Sequence, residues 1–437
     1  MAPLRVLTVC HNHPALHPGG TEIFAHELFR ALRASGEVDG LFLACTSRLH
    51  REQKPGTCFQ TVGPSADEAV LWVGRFDRFF LSQLDLPGIL PELGDLLTTL
   101  RPDVVHVHHT LLFGVELLFL LRRLRPQAHL VFTLHDYFPI CAHEGQMVKA
   151  GSHALCRGAS PDACHACLPD IPADRFLLRE KHIKTLFGLV DTFIAPSRFL
   201  RDRFVAWGLP ADRIVVLPNG RPAVAAPAPP RPTDGPRAVF ATFGNISPFK
   251  GTMVALAAME RLAEAGDTDA RLLVHGDMPF QTEAFRTGFE TAVSALGTRV
   301  VHRGPYARED LPALIAGVDW VVVPSIWWEN APLVILEAFQ HGRPVLCSDI
   351  GGMAEHVRDG IDGLHFRVGD PGALAETMRR AMREPGLWDR LRANAPPVPT
   401  IDDCAAAHLR LYRAPPAAAP AAPAVPVRTR TRRRRRA

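Results

Sequence analysis

Two glutamates, Glu329 and Glu337, have the type and spacing of side chains that hold two ends of one ligand. They lie eight positions apart. A helical rise of about 1.5 Å per residue would separate them by roughly 12 Å along the axis. The start of a helix also favours an anion, because its free N–H groups and its dipole point to the same place. The pair predicts either a site for an elongated anionic ligand with hydroxyl groups or a plain surface helix with two unrelated glutamates.

The elements that must position this pair form a strand–helix–strand unit. Residues 321–323 predict a buried strand, and residues 344–347 predict a second one. Between them, Asn330 is suited to cap a helix that begins at Ala331 or Pro332. In open parallel sheets, ligands bind at the carboxyl ends of the strands. The unit therefore gathers its polar residues at the edge where such sites form.

Further polar residues follow predicted strands elsewhere in the chain. The first strand, residues 4–10, leads to Gly19 and Gly20, whose amides can approach a phosphate or merely complete a tight turn. His135 ends another strand, where a histidine is often only a satisfied hydrogen-bonding residue. Lys250 precedes a helix in the run GNISPFKG, where it predicts either a phosphate contact or a solvated turn lysine. Alternating strands and helices predict an α/β fold with doubly wound parallel sheets. His109, His135 and the histidines of the first loop, among them His11 and His13, all follow predicted strands and are therefore candidates for one cleft.

Composition limits the classes of protein to which the chain can belong. A length of 437 residues predicts two domains, and 47% apolar with 22% charged residues is typical of a globular protein. Seven of the 49 basic residues are arginines in the last ten positions, and the other 42 nearly balance 45 acidic residues. The folded part is thus near neutral, and specific binding of nucleic acid is not predicted. No secretory signal and no membrane-spanning run is evident, which predicts a cytoplasmic protein.

An insertion at about 141–170 is rich in cysteine and histidine. Four thiols with the spacing C-x14-C-x7-C-x2-C can wrap a tetrahedral zinc ion, which would order a segment with few apolar residues. Unliganded thiols in an irregular loop are the alternative, since this spacing matches no standard zinc module. The candidate ligands of a structural zinc are Cys141, Cys156, Cys164 and Cys167.

The strand–helix–strand unit resembles the C-terminal signature of retaining glycosyltransferases of family four, which have the GT-B fold. The residues that carry the resemblance are Pro324, Ser325, Glu329, Glu337, Ala338, Gly342, Pro344, Val345, Gly351, Gly352 and Glu355. It extends over nearly the whole chain from Leu4 to Tyr412. It implies two Rossmann-like domains that face a cleft and a nucleotide-sugar, such as a UDP- or GDP-sugar, as the donor.

The resemblance also implies roles for individual residues. His135, in Thr133-Leu134-His135, would lie beside the donor sugar and act in catalysis together with Glu329. The implied donor-binding residues are Gly19, Gly20, Asn245, Lys250, Tyr306, Ala331, Leu333, Val334 and Glu337. Asn245 stands where the family usually has an arginine, which puts the donor affinity or the donor type in question. No metal or other cofactor is implied for catalysis.

The implied organisation is an N-terminal acceptor-side domain at 1–220, a Pro/Ala-rich linker at 221–236 and a donor domain at 237–395. A crossover helix at 396–413 and a disordered tail at 414–437 follow. The arginines from Arg428 to Arg436 predict peripheral contact with anionic lipid on the inner face of the membrane, non-specific binding of nucleic acid or an inert tail. The expected activity is sugar transfer to a glycan or lipid-linked acceptor in polysaccharide or lipopolysaccharide synthesis. The alternatives are a nucleotide-sugar epimerase or hydrolase and a non-catalytic nucleotide-sugar-binding regulator.

Overall fold

Buried apolar runs alternate with amphipathic helices in a computed structural model that describes residues 2–233, 235–279 and 281–414. The N-terminal strands are β1 Leu4–Cys10, β2 Val38–Thr46, β3 Phe59–Thr61, β4 Glu68–Trp72, β5 Phe76–Asp77, β6 Ser82–Gln83, β7 Val104–Val107, β8 His129–Thr133, β9 Thr192–Ala195 and β10 Ile214–Val216. The N-terminal helices are α1 Gly20–Ala34, α2 Leu86–Leu100, α3 Glu116–Leu124, α4 Pro161–Cys167, α5 Ala173–Phe187 and α6 Arg198–Trp207.

The same alternation continues after residue 237. The strands are β11 Val239–Phe243, β12 Arg271–His275, β13 Val300–Gly304, β14 Trp320–Val323, β15 Val345–Ser348 and β16 Gly363–Phe366. The helices are α7 Thr252–Glu264, α8 Glu283–Leu296, α9 Leu311–Ala316, α10 Leu333–Gln340, α11 Gly351–His356, α12 Pro371–Arg383, α13 Leu387–Ala393 and α14 Ile401–Arg413.

The first sheet has the order β10-β9-β8-β7-β1-β2-β4-β3, and only the β3–β4 pair is antiparallel. Helices cover both of its faces because successive side chains of a strand point to opposite sides. In β1, Leu7 and Val9 pack in the same core as Leu118 of α3. Val6 packs on the other side, in a core that contains Phe24 of α1. The N-terminal domain is therefore doubly wound, as predicted.

The second sheet has the order β13-β12-β11-β14-β15-β16, and all of its pairs are parallel. The run GIDGLHF at residues 360–366 predicts a short hairpin-like piece, and the structure corrects this prediction. Gly363–Phe366 instead pairs with β15 as the sixth strand. Gly363 packs closely here, since a Cβ on it would lie 2.4 Å from the carbonyl oxygen of Val345.

The last described helix, α14, returns to the first domain. Its Cys404, Leu409 and Tyr412 pack with α1 and the first sheet. The Tyr412 hydroxyl lies 2.7 Å from Nδ1 of His106 in β7. The chain therefore passes between the two sheets twice, once through residues 221–236 and once before α14.

No helix within the described residues combines the length and the apolar character that a membrane span requires. The predicted lipid contact of Arg428 to Arg436 lies outside the described residues.

Candidate functional site

The two residues predicted to act on the donor's sugar and phosphates, Glu329 and Lys250, form an ion pair. The distance from Lys250 Nζ to Glu329 Oε1 is 2.7 Å. The same oxygen accepts hydrogen bonds from the Ser325 hydroxyl at 2.8 Å and from the Trp327 indole at 2.9 Å. Burial opposes ionisation of Glu329, but Lys250 and the two neutral donors outweigh it and hold the pKa of Glu329 below its usual range. Glu329 is therefore a buried, fixed carboxylate.

Close backbone packing places this pair. A Cβ on Gly251, next to Lys250, would lie 1.8 Å from the Pro324 carbonyl oxygen, and φ at Gly251 is +69°. A Cβ on Gly352 would lie 1.7 Å from the Asn330 carbonyl oxygen. Only glycine allows these approaches. The turn before α7 and the start of α11 thus hold the loop that carries Glu329.

The start of α10 differs from the prediction. The helix begins at Leu333, after Pro332, and Asn330 does not cap it. Asn330 instead accepts from the Ala331 amide and donates to the carbonyl oxygen of His135. The Ala331 amide donates to Asn330 in this structure, and the predicted contact of Ala331 with the donor stays a prediction. Asn330 does not cap the helix because its side chain bonds to His135 of the opposite domain, a contact that the sequence does not show.

Gly19 and Gly20 lie opposite this helix start. Gly20 is the first residue of α1 and Gly19 precedes it. A Cβ on Gly20 would lie 3.9 Å from Cδ1 of Leu333. Two helix starts, one from each domain, therefore meet, and both present free amides and the positive ends of their dipoles. Val334 lies in the first turn of α10. Helix starts of this kind favour an anion.

His135 faces the same region from the end of β8. Its Nε2 lies 2.9 Å from Nδ1 of His108, and the two rings stack with centroids 5.2 Å apart. Burial lowers the pKa of His135 to about 3, although Asp136 opposes the shift. His135 is therefore neutral at physiological pH. A neutral imidazole can accept or donate one hydrogen bond without adding positive charge beside a sugar that itself becomes positive.

The other strand-end histidines only partly join this group. His109 bonds to Asp136 at 2.8 Å, and its ring lies 4.5 Å from that of His11. Although burial opposes it, the Glu22 carboxylate raises the pKa of His11 to about 10. His13 lies in a different group, with His26 and Glu68. The prediction of one common cleft therefore applies to His11, His109 and His135 but not to His13.

His13, His26 and Glu68 are the one group of His, Cys, Asp and Glu side chains in the described chain whose ligand atoms lie within 4.8 Å of one another. The Ala15 amide donates to Nδ1 of His13, which places the proton of the neutral ring on Nε2. That proton then donates to Glu68, 2.9 Å away. A metal would need the Nε2 lone pair, so these residues form a hydrogen-bonded cluster rather than a metal site.

The remaining predicted donor residues lie on the second domain. Tyr306 packs edge-on against Phe243, with ring centroids 6.0 Å apart, and burial raises the pKa of its hydroxyl. Asn245 is exposed after β11. Glu337 lies one turn into α10, and its Oε1 lies 2.7 Å from the guanidinium of Arg221. Glu337 is therefore paired with a residue of the interdomain segment that the sequence analysis did not single out.

Direct contacts join the two walls of the cleft. The Glu355 carboxylate accepts from the Arg198 and Phe199 amides, at 2.8 and 2.7 Å, and so caps α6 of the other domain. The Trp328 indole donates to the Cys156 carbonyl oxygen at 2.9 Å. The Cys/His-rich insertion thus touches the residue next to Glu329. No signal in the sequence indicates these partners, because each contact joins distant segments.

The four cysteines of the insertion remain free thiols in this structure. Within the described residues, no three of their sulfurs lie within 4.8 Å of one another, whereas the sulfurs of a tetrahedral zinc site would. Cys156 Sγ instead contacts the Gly158 carbonyl oxygen at 3.2 Å, and Cys167 Sγ accepts from the Ala150 amide at 3.2 Å. As arranged, the side chains do not form a zinc cage, and the structural zinc stays a prediction.

Comparison with known proteins agrees with this geometry. The family model described as Glycosyltransferase Family 4 matches residues 18–223, and the model described as Glycosyl transferases group 1 matches residues 237–384. A D-inositol 3-phosphate glycosyltransferase of Nocardioides sp. is 30% identical over 424 residues, which are 88% of this chain and 83% of that protein. Another, of Xylanimonas cellulosilytica, is 28% identical over 435 residues, with 92% and 94% covered.

A solved structure has the same fold. HepE of Anabaena, determined in complex with UDP-glucose, superposes with a TM-score of 0.63 at 17% identity and covers 93% of this chain and 100% of its own. The two matched family models lie on either side of the interdomain segment, and a glycine-rich helix start and the Lys250–Glu329 pair line the junction. The chain belongs to the family-four glycosyltransferases, enzymes with the GT-B fold.

Proposed function

We propose that this glycosyltransferase transfers a sugar from a nucleoside diphosphate donor, a UDP-sugar, to a glycan or lipid-linked acceptor with retention of configuration. The observation that carries the proposal is the meeting of α1 and α10 beside the Lys250–Glu329 pair. HepE holds UDP-glucose in its structure, and this supports a UDP-sugar here. A role in cell-surface polysaccharide or lipopolysaccharide synthesis is part of the proposal.

The diphosphate would lie at the junction of the two helix starts. Amides of Gly20, Leu333 and Val334 are the donors available there, and Lys250 contributes the cation. Lys250 bonds to Glu329 with one N–H and keeps two for phosphate oxygens. Asn245 replaces the second cation that the family usually supplies. The amides must therefore supply more of the phosphate binding in this chain.

Glu329 would hold the hydroxyl groups of the sugar. The described hydrogen bonds of its carboxylate all end on Oε1. Oε2 is thus the oxygen that can accept from a sugar hydroxyl. Because Ser325, Trp327 and Lys250 fix the carboxylate from three directions, it would not reorganise when the sugar arrives, and such preorganisation favours catalysis.

The reaction breaks the bond between the anomeric carbon and the diphosphate and forms one to the acceptor oxygen. Negative charge develops on the departing diphosphate, where Lys250 and the helix amides stabilise it. Positive charge develops on the sugar ring, and the neutral His135 tolerates it. For retention, the acceptor hydroxyl approaches from the face on which the diphosphate departs. Its proton then has a phosphate oxygen as the nearest acceptor.

A thermal-shift screen of nucleotide-sugars tests the donor assignment, since a bound ligand raises stability by mass action. We expect a UDP-sugar to shift the melting temperature more than the corresponding GDP-sugar. Transfer of labelled sugar with the Glu329→Ala and Lys250→Ala variants tests the site. Undiminished transfer in both variants would reject it. Release of free sugar without any acceptor would indicate a hydrolase instead.

A further inference from the structure

Arg221 lies at the centre of a network of charges that spans both domains. Its Nη2 lies 2.7 Å from Oε1 of Glu337, and its Nη1 lies 3.0 Å from Oε2 of Glu27. Arg308 completes the network with a 2.7 Å contact to the other oxygen of Glu27. Glu27 belongs to α1 of the N-terminal domain, Glu337 and Arg308 belong to the second domain, and Arg221 lies in the segment between them.

The charges of this network are buried, so the loss of one of them should have a large effect on the others. Arg221 is 3% exposed, and the Glu337 side chain is 14% exposed. Removing one partner from a buried charge pair leaves the other uncompensated, which costs far more than the loss of a surface pair. Arg221 also has a planar fork that bridges two carboxylates at once, which a lysine cannot reproduce.

We propose that Arg221 is a positioning residue for the ribose of the donor, which favours the ionised form of Glu337, orients its carboxylate and ties it through Glu27 to the opposite domain. The proposal rests on the proposed function and extends it: Glu337, an implied donor-binding residue one turn into α10 from the proposed diphosphate site, would accept from the ribose hydroxyls. Arg221 occupies Oε1 and leaves Oε2 for a ribose hydroxyl. The residue does not touch the ribose itself and acts through Glu337.

The surroundings of Glu337 show why it needs this partner. Burial raises the pKa of Glu337 to about 7, Arg308 opposes the shift and Glu27 adds to it. Tyr306 is half-buried, and both burial and the charge of Glu337 raise the pKa of its hydroxyl, so it brings no counter-charge near neutral pH. A ribose diol donates to a carboxylate, so donor affinity rises as pH increases through the pKa of Glu337. Loss of the Arg221 cation disfavours the charged form and moves that pH midpoint upward.

Binding of UDP and of 2′-deoxy-UDP between pH 5.5 and 9.5, measured by calorimetry, tests the proposal. For Arg221→Met we expect at least tenfold weaker UDP binding at pH 7 and a midpoint shifted upward by about one to three pH units. We also expect a smaller preference for UDP over 2′-deoxy-UDP. Arg221→Lys should restore part of the charge effect and keep the midpoint close to that of the wild type.

Arg231→Met is a matched control, because Arg231 is also in the interdomain segment but pairs with Asp319 at 2.8 Å. It should leave both the midpoint and the preference for ribose unchanged. The opposite outcome is that Arg221→Met weakens the binding of UDP and of 2′-deoxy-UDP by the same factor and keeps the pH midpoint of the wild type. Arg221 would then be only structural, and the proposal would be wrong. Should Arg221→Met fail to fold, Arg221→Gln carries the same test, because it also removes the cation but keeps a side chain that can donate to Glu337 or Glu27.

Glu337→Gln separates this proposal from the function on which it rests. A loss of the ribose preference in Glu337→Gln, without any effect in the Arg221 variants, would overturn only the role of Arg221. An unchanged ribose preference in Glu337→Gln would show that Glu337 is not the ribose ligand, and the proposed donor geometry would then fail first.

Discussion

Lys250 Nζ and Glu329 Oε1 lie 2.7 Å apart although 79 positions separate the residues in the chain. The contact joins the turn before α7 to the loop after β14, two neighbouring strand ends of the second sheet. Parallel strands bring their carboxyl ends to one edge of a sheet, so the sheet topology places Lys250 and Glu329 close together. Within the described residues, the hydrogen bonds of the Glu329 carboxylate end on Oε1, and Lys250 uses one of its three N–H groups for this pair.

Lys250→Met should reduce kcat/KM about 10²- to 10³-fold, because one preorganised donor to the departing diphosphate is lost. Glu329→Gln should reduce kcat/KM by a similar factor, because the sugar hydroxyls lose a charged acceptor. Since the two side chains contact each other, the double variant should lose much less than the product of the two effects. Steady-state kinetics with a labelled donor measures all three. Multiplicative losses would mean that the residues act independently.

His135 and His11 should behave oppositely in a histidine NMR titration. With a pKa of about 3, His135 should stay neutral between pH 5 and 8, whereas His11, with a pKa of about 10, should stay protonated. The His11 pKa is raised above its unfolded value, so its contribution to stability is present below about pH 6.5 and is lost as pH rises through 10. His135, with its pKa lowered, costs stability as pH falls from about 6.5 towards 3. A His135 that titrates near 6.5 would contradict its burial.

Gly352→Ala should displace the loop of Glu329 and abolish most activity, since the new Cβ would lie 1.7 Å from the Asn330 carbonyl oxygen. Such a clash with backbone should cost more than about 1–3 kcal/mol in the free energy of unfolding. Gly288→Ala in α8 is the matched control, because nothing lies within 4 Å of its Cβ position. It should stabilise the helix by up to about 1 kcal/mol. Denaturant melts and activity assays distinguish the two.

Arg343→Met should destabilise the protein by more than about 3 kcal/mol. Arg343 is fully buried and donates to carbonyl oxygens of the interdomain segment, at 3.1 Å to Ala228 and 2.7 Å to Pro229. The change would leave several buried carbonyl groups without a partner. Arg271→Met, which removes bonds from an exposed arginine to the Thr268 and Ala270 carbonyl oxygens, should cost less than about 1 kcal/mol. Equal melting temperatures for the two variants would refute the anchoring role of Arg343.

Secondary structure followed the sequence where periodic patterns were strong. The alternating buried strands of both sheets were predictable, and so were the two sheet edges, one with His135 and the other with Lys250 and Glu329. Short strands were not: Phe59–Thr61 and Glu68–Trp72 follow a polar, glycine-containing stretch, and Gly363–Phe366 resembles a turn. Their partners come from distant segments, and pairing rather than local propensity makes them strands.

The start of α10 shows a second kind of error. Asn330 is a good helix cap by type, and the sequence pattern around it predicts one. In the structure its amide bonds to His135 across the cleft. A local preference of about 1 kcal/mol is thus overridden by tertiary contacts. Glu355 is a second residue whose contacts are tertiary. It belongs to the family signature, and in the structure it caps a helix of the other domain.

By itself the sequence determined the family, the α/β fold and the sheet edges that carry the polar residues, because these depend on periodicity and on local motifs. Only the tertiary structure decided which groups meet: Lys250 with Glu329, Gly20 with Leu333, and Arg221 with both Glu27 and Glu337. These contacts join residues 79 to 313 positions apart. Electrostatic and steric energies depend on distance in space, and spacing along the chain does not contain that distance.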